Sequence, residues 1–145
     1  MTDILHETFT ITRAYEKSRD LVWSGWSDQA KKTKWMGGGL ERMEFAPGGS
    51  ERHVFNDQMG QHVNDTRYFE IVPGQRIILA YSMALNGRVH SVSLTTVTFA
   101  DQGGGTLLTY TEQMTVLPPS DGLQGRRHGW TAILDSLDKA LADEV

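Results

Sequence analysis

Three charged residues lie in segments that otherwise alternate between polar and apolar side chains. Arg13 has the same parity as Phe9 and Ile11 in the first such segment, so we expect it to point inward with them. A buried arginine needs a carboxylate or hydrogen-bond acceptors. Glu70 and Glu112 are the candidate partners. Either an Arg–Glu pair orders the wall of a cavity, or Arg13 receives an anionic or carbonyl group of a ligand.

Catalytic motifs are scarce. Glu70 and Glu112 could act as an acid–base pair, but their predicted positions lie at opposite edges of one sheet face. Gly37-Gly38-Gly39 has no lysine for a phosphate loop, and no Gly-x-Ser-x-Gly elbow occurs. We therefore assign no catalytic residue and expect no cofactor. Whether the protein is an enzyme stays open, with a non-catalytic role favoured.

The histidines do not predict a metal site. In the predicted sheet His53 and His90 are three strand spacings apart, about 14 Å, which is too far to share an ion. His53 and His62 are diagonal neighbours without an evident acidic third ligand. We expect these histidines to line the polar end of a cavity or to lie at the surface, and His128 to be solvated.

Composition narrows the function classes. The chain has 145 residues and no cysteine, which excludes disulfides, thiolate zinc sites and cysteine nucleophiles. We expect it to be cytoplasmic. The net charge of −4 argues against a nucleic-acid surface, and we interpret the short basic clusters 31–34 and 126–128 as solvated helix faces. The longest clear apolar run, 77–81, is far short of the roughly 20 residues of a membrane span.

The order of elements predicts an α+β fold. One strand is followed by two short helices that begin at Ser18 and at Ser27-Asp28, and then by six more strands. From about Ser120 a long helix is expected, with one apolar stripe at Trp130, Ile133, Leu134, Leu137 and Leu141. We predict one domain, 1–145, in which a curved seven-stranded antiparallel sheet wraps around the C-terminal helix.

The turns predict the register of the sheet. Four rows of neighbouring residues are expected: His53, Asn64, Met83 and His90; Thr66, Tyr81, Val92 and Met114; Tyr68, Leu79, Leu94 and Glu112; Glu70, Ile77, Thr96 and Tyr110. The more apolar face is assigned to the concave side. The predicted ligand contacts are Arg13, Trp35, Phe55, Tyr68, Leu79, Tyr81, Val92, Leu94, Tyr110, Glu112, Trp130 and Leu134.

Five segments carry a resemblance to a known family. They are "ITRAYEKSRDLVWSGWSDQAKKTKWMGGG", "EFAPGG", "YFEIVPGQRI", "GGGTLLTYTEQM" and the Gly129-Trp130 pair. The chain resembles the START-like or SRPBCC superfamily, also called the helix-grip or birch-pollen-allergen-like fold. Within it the chain is most similar to the family named after the activator of heat-shock protein 90 ATPase. It departs from that family's pattern at Ala46, where an arginine is usual.

The resemblance implies a cavity for lipids, polyketides or other hydrophobic molecules. Our first hypothesis is therefore a non-catalytic binding protein for a small hydrophobic ligand. The alternatives are a homodimeric or chaperone-associated interaction module, and a cyclase, dehydratase or hydrolase that acts in the same cavity through Arg13, Glu112 and Tyr110.

Overall fold

The computed structural model describes residues 3–37, 39–117 and 123–142. The first strand is followed by two short helices, six further strands and a long helix, in the order predicted. The elements are β1 Leu5–Tyr15, α1 Arg19–Ser27, α2 Gln29–Trp35, β2 Leu40–Met43, β3 Ser50–Asp57, β4 Gly60–Val72, β5 Arg76–Leu85, β6 Arg88–Gln102, β7 Gly105–Val116 and α3 Leu123–Ala142. The predicted helix start near Ser120 lies outside the described residues.

The two short helices begin where the capping residues predict. The Ser18 side chain accepts a hydrogen bond from the Leu21 backbone N–H at the start of α1. Asp28 does the same for Lys31 at the start of α2. Each cap satisfies a backbone donor that has no partner within its own helix.

The seven strands form one antiparallel sheet in the order β1-β7-β6-β5-β4-β3-β2. The curved sheet and the C-terminal helix make the α+β architecture that the sequence predicts. The stripe on α3 is buried as expected, with Leu134, Leu137 and Leu141 at most 1% exposed. Helix α3 packs mainly against α1, α2 and β1. The helix is thus supported at one edge of the sheet and leaves room over the middle strands.

The predicted register is correct for β5 against β7 and wrong for β6. His90 is the extra residue of a β-bulge in β6, because Met83 pairs with Ser91 whereas Ala84 pairs with Val89. Because side chains alternate, this bulge turns all later residues of β6 to the opposite face. Val92 and Leu94 therefore lie on the outer face, 49% and 45% exposed, and their predicted inward orientation is wrong.

Polar side chains take their place on the inner face. Ser91, Ser93 and Thr95 of β6 are at most 2% exposed. A second bulge, in β4 after Tyr68, pairs Ile71 rather than the predicted Glu70 with Ile77. In the part of the chain that is described, no helix is long and apolar enough to cross a membrane.

Candidate functional site

A cavity of about 500 Å³ lies between the inner face of the sheet and the first half of α3. Its walls come from the segment after α2, from strands β3 to β6 and from α3. The lining residues are Met36, Gly37, Gly39, His53, Phe55, Asn64, Tyr81, Met83, His90, Gly125, Arg126, Gly129, Trp130 and Ile133. The walls are mostly apolar, and a few polar groups are spaced around them.

Glycine on α3 helps to keep this space open. Gly125 and Gly129 are one helical turn apart, and both line the cavity. A Cβ atom built on Gly129 would meet no atom within 4 Å. Because Gly129 lines the cavity, we expect a larger residue at this position to reduce the cavity volume.

One end of the cavity is closed by a hydrogen-bonded cluster around Glu112, which is fully buried on β7. Its carboxylate accepts hydrogen bonds from the hydroxyls of Tyr81 at 2.8 Å, Tyr110 at 2.7 Å and Ser93 at 2.6 Å. Arg126 Nη1 donates to it at 2.7 Å. Four donors thus compensate the cost of removing one carboxylate from water.

Arg126 ties α3 to the sheet. Besides Glu112, its Nη1 donates to the Tyr81 hydroxyl at 2.9 Å, and its Nη2 donates to Ser91 Oγ at 2.6 Å. Because Arg126 and Glu112 neutralise one another, the pair adds no net charge to the wall of the cavity.

The Tyr81 hydroxyl has no hydrogen-bonding capacity left for a ligand. It donates to Glu112 and accepts from both Arg126 and Trp130 Nε1, the latter at 3.2 Å. Burial, and next the charge of Glu112, raise the pKa of Tyr81 above its ordinary value, so the phenol stays protonated at neutral pH. Tyr81 therefore offers a ligand its ring and not its oxygen.

A second buried cluster stands behind the opposite wall. Lys32 on α2, Glu51 and His53 on β3, and Tyr68 on β4 are each at most 3% exposed. Lys32 Nζ donates to Glu51 Oε1 at 2.8 Å, and the Tyr68 hydroxyl donates to the same oxygen. His53 Nε2 donates to Glu51 Oε2 at 2.8 Å. Burial acts to raise the pKa of Glu51, but Lys32 and these hydrogen bonds outweigh it and lower the pKa to about 2.

The predicted ligand contacts fall into several groups. Phe55, Tyr81 and Trp130 line the main cavity. Leu79 and Tyr110 reach only an adjoining space of about 20 Å³, which shares Tyr81 and Trp130 with the main cavity.

The other predicted contacts lie elsewhere. Trp35, Tyr68 and Leu134 are buried in the core, and Val92 and Leu94 lie on the outer face. Glu112 sits behind Tyr81 and outside the cavity wall.

Arg13 pairs neither with Glu112 nor with Glu70. Its partner is Asp135 on α3, and the two side chains are 28% and 49% exposed. Glu70 pairs instead with Arg76 in its own hairpin. The Arg13–Glu interpretation is therefore wrong, and Arg13 helps to hold α3 against β1 at a distance from the cavity.

The sequence predicts solvated helix faces for Lys32 and Arg126, but both side chains are largely buried. Lys32 is 3% exposed, and the Arg126 side chain is 13% exposed. A sequence signal existed for Arg126, because it lies four residues before Trp130 and so extends the apolar stripe of α3 by one turn. No comparable signal identified Lys32, whereas the predicted register already places Asn64 in one row with His53 and Met83. His128 is exposed, as expected.

Within the described ranges, no group of three or more histidine or acidic side chains could hold a metal ion. The site is thus an apolar cavity with an internally neutralised ion pair at one end and a histidine–carboxylate pair at the other.

A curved antiparallel sheet, a C-terminal helix across it and a cavity between them define a helix-grip protein. The chain belongs to the family described as Activator of Hsp90 ATPase homolog 1-like protein, which matches residues 16–142. The resemblance seen in the sequence is therefore confirmed. No curated protein shows a significant match to the chain.

Several solved structures are similar. Mll3558 from Rhizobium loti is 38% identical, with a TM-score of 0.90 over 96% of this chain and 99% of its own. An uncharacterized protein from Rhizobium leguminosarum is 34% identical, with a TM-score of 0.94 over 99% of both chains. DynU16, from the dynemicin biosynthetic locus, shares the fold at 20% identity and a TM-score of 0.74, over 94% of this chain and 47% of its own.

Proposed function

We propose that the protein binds a small, largely hydrophobic molecule in the cavity between the sheet and α3. The observation that carries the proposal is the cavity itself. Its volume of about 500 Å³ falls within the range of roughly 300–1,000 Å³ typical of small-molecule sites. A domain that only needed a stable core would gain by filling this space, because an empty apolar volume forfeits packing contacts.

The walls favour a neutral ligand of lipid-like or polyketide-like character. Phe55, Met83, Trp130 and Ile133 present apolar surface to it. Arg126 is neutralised by Glu112, so an anionic ligand would have to compete with a carboxylate that is already in place. Polar contacts to a few oxygen atoms are available from Asn64 and His53.

Two measurements test this proposal. Native mass spectrometry of the purified protein should show an organic mass that is lost on denaturation. After extraction, the neutral fluorescent probe N-phenyl-1-naphthylamine should bind with one-to-one stoichiometry and raise the melting temperature, because a ligand that binds only the folded state stabilises it. A protein that carries no organic mass and does not bind the probe would contradict the proposal.

A second candidate is self-association through the outer face of the sheet. Phe69 on β4 and Val92 and Leu94 on β6 are between 45% and 56% exposed there, and exposed apolar patches mark interaction sites when they are contiguous. Light scattering after size-exclusion chromatography would show a dimer, and Leu94→Asp should convert it to a monomer. If the wild-type protein is still monomeric at about 100 µM, this candidate is excluded.

We propose the cytoplasm as the place of action, because the chain lacks cysteine.

A further inference from the structure

His53 is held in one orientation by a carboxylate that is itself fixed. Glu51 accepts hydrogen bonds from Lys32, Tyr68 and His53, and all four side chains are almost completely buried. His53 is the member of this cluster that also forms part of the cavity wall. A carboxylate that orients a histidine facing a small-molecule cavity is the arrangement of a base and its orienting group.

The hydrogen bond to Glu51 determines the tautomer of His53. A carboxylate only accepts hydrogen bonds, so the proton of the neutral imidazole must lie on Nε2, which is 2.8 Å from Glu51 Oε2. The lone pair is then on Nδ1, the ring nitrogen that does not contact Glu51. Since His53 lines the cavity, we take Nδ1 as the proton acceptor for a ligand.

A hydrogen-bond donor lies beside this acceptor. Asn64 is the partner of His53 in the β3–β4 register and also lines the cavity. Its Oδ1 accepts a hydrogen bond from Thr66 Oγ1 at 2.8 Å, which directs the two N–H groups of Nδ2 away from Thr66. Directly opposed residues on antiparallel strands have Cβ atoms about 5 Å apart. Side chains that begin this close together can bring an acceptor to the α-hydrogen and a donor to the oxygen of one carbonyl compound.

We propose that His53 and Asn64 form a catalytic site for the enolisation of a hydrophobic ketone. This inference rests on the proposed function, because it requires that a neutral apolar molecule enter the cavity. His53 is the general base, and Asn64 binds the carbonyl oxygen. Apolar neighbours of the pair, Phe55 and Met83, would hold the hydrocarbon part of the ketone.

The step needs no further reagent. The Nδ1 lone pair of His53 takes the proton from the carbon next to the carbonyl, and the C–H electrons form the carbon–carbon double bond of the enolate. The carbonyl π electrons move to oxygen, where the Asn64 N–H donates to the developing negative charge. The imidazolium is stabilised by Glu51 and returns a proton to carbon, which regenerates the neutral base. In heavy water the Nδ1 proton of the imidazolium exchanges with solvent before it is returned, so the carbon receives a deuteron.

Deuterium exchange tests this step. The purified protein is incubated in D₂O with 2-tetralone, a neutral bicyclic ketone, and loss of the α-proton signal is followed by NMR. We expect exchange faster than in buffer alone, and we expect His53→Gln to reduce the enhancement about 10²-fold or more, the usual contribution of a general base. His128→Gln is the matched control, because His128 is exposed and lies outside the cavity wall.

Three further variants separate catalysis from folding. Asn64→Leu should lower the exchange rate while 2-tetralone still binds. His53→Ala should lose exchange and regain part of it when imidazole is added, whereas imidazole should not change the rate with His128→Ala. Melting temperatures of all variants identify any loss of fold.

Binding is measured on the same samples, so the possible failures are distinguishable. If 2-tetralone binds without enhanced exchange, or if His53→Gln retains the enhancement, the inference is overturned and the proposed binding function stands. If N-phenyl-1-naphthylamine binds but 2-tetralone does not, the same conclusion holds. If neither compound binds, both the inference and the proposed function fail.

Discussion

Gly129 offers the most direct test of whether the cavity is the binding site. This residue lies in the interior of α3, and a Cβ atom added to it meets nothing within 4 Å. Glycine in a helix interior is about 0.8–1.0 kcal/mol less favourable than alanine. Gly129→Ala should therefore raise the free energy of unfolding by about 1 kcal/mol and the melting temperature by about 4 °C.

Gly129→Leu extends the same perturbation into the cavity. Leucine has nearly the helix propensity of alanine, and its side chain would occupy space that we assign to the ligand. We expect the variant to be at least as stable as the wild type and to bind N-phenyl-1-naphthylamine at least tenfold more weakly, a loss of about 1.4 kcal/mol. Improved stability together with weaker binding cannot arise from general damage to the fold.

Gly25 on α1 provides the matched control, because it is also a helical glycine. A Cβ atom there would approach Leu137 Cδ1 to 2.7 Å in the packed core. Overpacking typically costs about 1–3 kcal/mol, and the gain in helix propensity offsets about 1 kcal/mol of that. Gly25→Ala should therefore be less stable than the wild type by about 1 kcal/mol, with unchanged affinity for the probe.

Urea denaturation gives the stabilities, and fluorescence titration gives the affinities. If Gly129→Leu binds the probe as tightly as the wild type, the probe does not occupy this cavity, and the assignment of the site is refuted. If Gly129→Ala is less stable than the wild type, α3 packs closer to the sheet than it does in the structure, and the cavity is smaller than about 500 Å³.

Three further predictions concern the buried charges and the corrected register. Arg126→Met should lower the free energy of unfolding by about 3–5 kcal/mol, because it leaves Glu112 buried without its cationic partner; a loss below about 1 kcal/mol in urea denaturation would contradict the ion-pair assignment. The pKa of Glu51 is lowered from 4.5 to about 2, so the stability it contributes is present above pH 4.5 and is lost as the pH falls toward 2. Unfolding measured at pH 5 and pH 3 should show this loss in the wild type and a smaller one in Glu51→Gln, and equal losses would count against it. Leu94→Ala should change stability by less than about 0.5 kcal/mol, whereas Leu134→Ala in the core should cost about 2–5 kcal/mol; similar losses in urea denaturation would mean that Leu94 points inward after all.

The sequence predicts the architecture because the architecture rests on strong local patterns. The caps at Ser18 and Asp28, the Asn86-Gly87 turn and the apolar stripe of α3 each depend on nearby residues only. The register of β5 relative to β7 is also predicted correctly, although the two strands do not pair and β6 lies between them. A bulge shifts the register of β6 by one residue against β5. The β6–β7 loop is centred one-half residue later than predicted, which shifts the register of β6 by one residue against β7. The two errors cancel, so β5 and β7 keep the predicted register relative to one another.

The candidate site is harder to predict because its polar residues stabilise one another across long distances in sequence. Ser93 faces inward since Glu112 and Arg126 provide partners for an inner polar surface. No residue adjacent to Ser93 in sequence predicts this orientation. Apolarity alone assigns Val92 and Leu94 to the inner face. The choice between the two faces of β6 depends on tertiary hydrogen bonds that alternation cannot encode.

Three of the indole rings form a contiguous group that ends at the cavity. Trp26 lies 4.8 Å from Trp35 and stacks on Trp130 at 6.2 Å between ring centroids, with an angle of 4° between the ring planes. Excited states of rings this close are shared, so light absorbed by one indole is readily emitted by another. Trp130 also lines the cavity, and a molecule that quenches Trp130 should therefore lower the fluorescence of all three indoles. Intrinsic tryptophan fluorescence should thus report occupancy of the cavity without an added label.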